Sequence, residues 1–233
     1  MDFASTEFWI ALGQLMMINV VLSGDNAVVI ALASRNLPPQ HQKKAILFGS
    51  GGAIVLRIVL TFFAVALLDM HYIKLIGSVL LMWIGVKLLV PEEDHDGMEA
   101  SADLMGAVKT IIVADLVMSL DNVIAVAAAA KGNVPLLLIG LGISIPLIVF
   151  GSTLMLKLMD RYPVIVTIGG GLLGYVAGEM AVSDGAIAHW VEASAPWLHQ
   201  VAPVAGAVLV VVIGRMIATS KKQPVHNSEQ TSS

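Results

Sequence analysis

The sequence predicts an all-α polytopic membrane protein: seven transmembrane helices, arranged as a 3+3 inverted repeat plus one additional C-terminal helix. Three observations predict it. Of 233 residues, 57% are hydrophobic and 13% charged, against roughly 25% charged in an ordinary soluble domain. Seven apolar segments each approach the ~20 residues that cross a bilayer. A polar motif inside the first segment recurs inside the fourth. Aromatics make up only 6% of the chain, so its apolar mass is aliphatic and cannot furnish a polar surface. That excludes a soluble enzyme, a nucleic-acid binder and a disordered chain. The net charge of −4 carries no basic footprint for nucleic acid, and the absence of cysteine removes disulfides, thiolate metal sites and iron–sulfur clusters.

Taken in order, the segments cover residues 8–33, 45–68, 72–90, 104–130, 134–156, 163–181 and 201–219. No basic residue precedes Arg35, so the first run lacks the positive region of a cleavable signal and is expected to stay as a span. Pro146 and the glycines at 169–171 blur the fifth and sixth segments. With the N-terminus outside, the cytoplasmic side carries Arg35, Lys43, Lys44, Lys87, Lys109, Lys157, Arg161, Arg215, Lys221 and Lys222. The outer side carries only Lys74 and Lys131. The positive-inside rule therefore places the N-terminus outside and the C-terminus in the cytoplasm.

The domain organisation follows. Residues 1–90 form the first three-helix repeat, 91–103 an acidic cytoplasmic linker, and 104–184 the second, inverted repeat. Residues 185–219 hold an outer loop and the seventh helix, and 220–233 a disordered cytoplasmic tail. SGDNAVVIALA at 23–33 matches SLDNVIAVAAA at 119–129, at an offset of 96 residues. IGSVLLMWIG at 76–85 matches IGGGLLGYVA at 168–177, and the second and fifth segments share Gly-x-Gly at 49–51 and 140–142. The first segment runs outside to inside and the fourth the other way. An inverted repeat of this kind typifies secondary transporters, whose sites lie near the midplane between the repeats.

Charges within spans are costly and are read first as functional. They are Asp25, Arg57, Asp115, Asp121 and Glu179, with Asp184 just beyond the sixth segment. Arg57 neutralises one carboxylate at most, as an internal ion pair would, which leaves −3 from the spans when every group is ionised. Such a set calls for a multivalent cation, protons, or both. At 100° per residue, Asn19, Ser23 and Asn26 share one helix face, and so do Asp115, Ser119 and Asn122. Asp25 and Asp121 lie about 120° away. Either they meet other neighbours, or the helix opens at the motif, where Gly24 stands in the first copy and where an unwound turn would free carbonyls as ligands.

Carboxylates, amides, hydroxyls and carbonyls are hard donors suited to Mg²⁺, Ca²⁺ or Mn²⁺. All six histidines (41, 71, 95, 189, 199, 226) fall at span ends or in loops, which disfavours Zn²⁺ or Cu²⁺. A thioether from Met118 or Met17 would favour Mn²⁺, although methionines in spans more often only pack. Clustered carboxylates repel one another, so exchange of a divalent cation for protons is a natural reading. An intramembrane aspartyl hydrolase needs a Gly-x-Gly-Asp motif. Leu22, Ser23 and Gly24 precede Asp25, so its first glycine is missing and no enzyme is expected. A role in membrane-protein assembly or stress response, with structural aspartates, is a third reading.

LSGDNAVVIALA in the first segment and DLVMSLDNVIAVAAA in the fourth resemble the TerC family of integral membrane proteins, and most of all its YjbE-type branch of small seven-span members. The family is grouped with the LysE-type transporters. The resemblance covers residues 8–185. It implies a multi-pass inner-membrane protein that exports Mn²⁺ from the cytoplasm, with the lipid bilayer, the metal ion and protons as its partners and no prosthetic group. It also implies a midplane metal site of Asp25, Asn26, Asp115, Asp121 and Asn122. Many members carry an acid where this chain has Asn19. Arg57 resembles the family's second-span arginine, and Glu179 and Asp184 its polar end of the sixth span. Ser23, Ser119, Arg57, Asn19, Glu179 and Asp184 form the secondary polar set.

Overall fold

A computed structural model describes residues 6–21, 24–63, 70–90, 100–130 and 133–221. Its elements are helices: α1 Thr6–Val21, α2 Gly24–Ser34, α3 Pro39–Phe62, α4 Ile73–Leu89, α5 Ala100–Ala130, α6 Val134–Arg161, α7 Val164–Val182, α8 Ala188–Ser194 and α9 Leu198–Lys221. Most of the acidic linker and of the C-terminal tail lies outside the described residues.

Local chemistry accounts for the helix ends. Pro39 sits in the first turn of α3, where its missing N–H is no loss. The Asn133 side chain accepts the Leu136 N–H at 3.1 Å and caps α6. Several helices outrun their apolar segments. α3 starts six residues before the hydrophobic run, on Gln40, His41, Gln42, Lys43 and Lys44, because polar turns stay helical once they leave the bilayer. α6 passes unbroken through Pro146.

Among the described residues, four helices are long and apolar enough to cross a membrane: Pro39–Phe62, Val134–Arg161, Val164–Val182 and Leu198–Ser220. α1 and α2 are apolar but shorter, and α4 has 17 residues. α5 has 31 residues and carries Lys109, Asp115 and Asp121 along its length. The fold is an all-helical polytopic membrane protein.

Packing gives the helix directions. Ala45 shares a small cluster with Ala107, Gly49 meets Ile111, and Arg57 meets Ser119. The register advances together, so α3 and α5 run parallel. Leu15 meets Gly140 and Ala27 meets Gly151, so α1 and α2 run parallel to α6. α4 and α7 are antiparallel, with Gly77 against Met180 and Gly85 against Leu173. α9 lies antiparallel on α7. A side chain at Gly174 or Gly178 would collide with the backbone of Gly206 or Ala202, so only glycine permits this approach.

One packing arrangement recurs at positions that the sequence repeat relates. A Cβ on Gly49 would run into the Ile111 side chain, and one on Gly140 into the Leu15 side chain. The Thr61 hydroxyl donates to the Arg57 carbonyl at 2.7 Å, and the Ser152 hydroxyl to the Ile148 carbonyl at 2.7 Å. Gly49, Arg57 and Thr61 precede Gly140, Ile148 and Ser152 by 91 residues, and Leu15 precedes Ile111 by 96. These offsets are those of the sequence repeat.

Candidate cation site

A buried, charged hydrogen-bond group joins α3 to α5. Arg57 is 1% exposed. Its Nη2 donates to Asp115 Oδ1 at 2.6 Å, and its Nε donates to Ser119 Oγ at 3.1 Å. Ser119 Oγ in turn donates to Asp115 Oδ2 at 3.1 Å. Asp115 and Ser119 are one turn apart on α5, on the shared face that the periodicity predicts. The guanidinium fork, the carboxylate and the hydroxyl thus satisfy one another, which is what keeps charge tolerable inside a span.

Asp25 lies in the first turn of α2, half-buried, within electrostatic reach of both Arg57 and Asp115. Its Oδ1 accepts the Asn26 N–H at 2.8 Å. α1 is described to Val21 and α2 from Gly24, and Leu22 and Ser23 between them lie outside the described residues. The second copy of the motif lies within continuous α5. Asn26 is buried and Asn122 half-buried.

Other expected positions separate from this group or fall outside the description. Ser23 and the side chains of Asn19 and Asp121 lie outside the described residues, although Asn19 belongs to α1 and Asp121 to α5. Glu179 is exposed on α7. Met118 is 5% exposed within the hydrophobic core, and Met17 is 70% exposed; both fit packing or a peripheral position better than ligation. His41, His189 and His199 stand at helix ends or in the short α8, in keeping with the sequence. Among the described residues, no three His, Asp or Glu side chains group as a metal cluster.

Asp184 is fully buried and serves a different task. Its two oxygens accept the N–H groups of Tyr72, Lys74, Leu75 and Ala186, at 2.9 to 3.2 Å. Three of these donors belong to the start of α4, whose N-cap residue Tyr72 has a left-handed backbone and no capping side chain of its own. Burial works against the charge, but the four donors outweigh it and hold the carboxyl below its ordinary value. Sequence reasoning missed two features. One is this cap, whose partners are more than a hundred residues away. The other is Ser50, fully buried on α3 and seven residues before Arg57, whose hydroxyl has no partner among the described residues. The i, i+7 spacing to Arg57 could have flagged it.

The helical fold and its buried charged contact define an integral membrane protein of several apolar helices. The chain belongs to the TerC family of integral membrane proteins, whose match covers residues 4–223. It is 43% identical to the Bacillus subtilis membrane protein YjbE over 76% of this chain and 82% of that protein. It is 30% identical to B. subtilis YceF over 75% of this chain and 72% of the relative. It is 25% identical to the Escherichia coli K12 inner membrane protein YgdQ over 66% and 73%. No solved structure matches the chain.

Proposed function

We propose that this protein is an inner-membrane transporter that exports divalent metal ions, Mn²⁺ foremost, from the cytoplasm in exchange for protons. The observation that carries this reading is the half-buried Asp25 carboxylate. It sits in the first turn of α2, within electrostatic reach of an Arg57 that Asp115 already engages. An ionised carboxylate held there without its own cation is costly, and a transported cation would relieve it. Asp25, Asn26, Asp121 and Asn122 would supply hard oxygen donors of the kind Mn²⁺ accepts.

In this reading α1 with α2, α3, α4, α5, α6, α7 and α9 make seven crossings, and α1–α4 and α5–α7 are inverted repeats. The recurring Gly49–Ile111 and Leu15–Gly140 contacts support it, as does the shared direction of α3 and α5. The N-terminus is outside and the C-terminus inside. Membership of the TerC family supports the assignment, and the inner-membrane location accords with the relative YgdQ.

The test is the metal content of cells under Mn²⁺ load. Wild type is expected to lower cellular Mn²⁺ selectively. Asp25→Asn and Asp121→Asn, at equal membrane levels, should return it to that of cells lacking the protein. Equal Mn²⁺ in all strains would overturn the exporter in favour of a role in membrane-protein assembly or in the response to metal or tellurite stress.

A further inference from the structure

We propose that Arg57 is a tethered counter-ion that removes Asp115 from the cation's ligand set and sets the charge presented to the cation at −2, one carboxylate from each repeat. This deepens the exporter reading and rests on it. Asp115 spends both oxygens inside the pair, one on Arg57 Nη2 at 2.6 Å and the other on Ser119 Oγ at 3.1 Å. Arg57 has its Nε on the same Ser119. A cation bound to Asp115 would have to displace a guanidinium that is 1% exposed.

The other repeat carries no charge at the matching sequence positions. At the repeat offsets Arg57 corresponds to Ile148 and Asp115 to Asn19. The helix packing fits this correspondence. Gly49 abuts Ile111 as Gly140 abuts Leu15. One half reaches neutrality at this position with an arginine and an aspartate, the other with an isoleucine and an asparagine. What remains is Asp25 in the first repeat and Asp121 in the second. Glu179 is exposed on α7. Two carboxylates and one divalent cation sum to zero, the charge a site in a low-dielectric membrane favours. With Asp115 added and no arginine, the loaded site would keep an uncompensated −1.

The pair therefore acts on the cation through charge, which separates it from a ligand. Asp115→Asn alone leaves the Arg57 cation facing the site. The Mn²⁺ concentration for half-maximal uptake into inverted membrane vesicles should rise at least about tenfold, because a positive charge nearby repels the ion. Adding Arg57→Ile, which copies the other half, should bring that concentration back to within about threefold of wild type. The charge-swapped Arg57→Asp/Asp115→Arg retains the pair and serves as the second variant. A double variant as weak as Asp115→Asn would make Asp115 a ligand and overturn the proposal. So would a single variant with unchanged half-saturation, or the loss of both double variants from the membrane. Wild-type vesicles that take up no Mn²⁺ would instead sink the exporter reading. In that event the melting temperatures of the same proteins still test the pair, since Arg57→Ile should recover the melting temperature lost in Asp115→Asn.

Discussion

At the scale of single residues, the protein uses carboxylates in different ways that composition cannot distinguish. Asp115 is neutralised by a guanidinium, Asp25 stands at a helix start within that guanidinium's field, and Asp184 caps a helix from across the fold. Asp184 gives the sharpest residue-scale prediction. Asp184→Asn loses the anionic acceptor for the start of α4 and should destabilise the purified protein by about 1–2 kcal/mol near neutral pH. Because the folded carboxyl titrates below its ordinary value of 3.8, the stability it adds is complete above that value. It is lost as pH falls through the lower, folded value. Melting curves should therefore show wild type and Asp184→Asn well separated at neutral pH and converging in strong acid. A gap that persists in acid would mean that the cap does not depend on its charge.

At the scale of elements, close approach decides the packing. α9 can lie on α7 only because Gly174 and Gly178 bring bare backbone against Gly206 and Ala202. Gly174→Val forces a side chain into a carbonyl that cannot move away, and overpacking of this kind costs about 1–3 kcal/mol. A lowered melting temperature and weakened retention of α9 after limited proteolysis are expected. Gly51→Ala meets open space and should change stability by no more than about 0.5 kcal/mol. A Gly174 variant as stable as the Gly51 one would refute the assigned contact. The element scale is also where the sequence was most legible. Apolar runs located the helices because a span must satisfy every backbone group internally. The ends were less legible, since Pro39 to Lys44 in α3 are polar yet helical. The fully buried Ser50 gave no hydropathy signal at all.

At the scale of the whole molecule, direction is the property to test. The basic residues predict an external N-terminus, and the parallel course of α3 and α5 fits two helices that both leave from the cytoplasmic side. The chain has no cysteine of its own, so single introduced thiols report cleanly. A membrane-impermeant maleimide should label Ser194→Cys, at the end of α8, in intact cells. It should reach Ser220→Cys, at the end of α9, only after permeabilisation. The opposite pattern would invert the whole arrangement.

The sequence by itself determined the membrane class, the helices and the doubled S-x-D-N motif. Each is written in composition or in short-range periodicity, which the bilayer and the helix impose locally. It also narrowed the buried charges to a handful, because charge within an apolar run is conspicuous. Only the tertiary structure decided which carboxylate Arg57 takes, since Asp25, Asp115 and Asp121 are equally plausible partners until α3 is laid against α5. The same holds for Asp184, read from sequence as part of an ion pathway and found bonded to the start of α4. Pairing between distant helices depends on which faces meet and in which register, and that information emerges only when side chains such as Gly49 and Ile111 interlock.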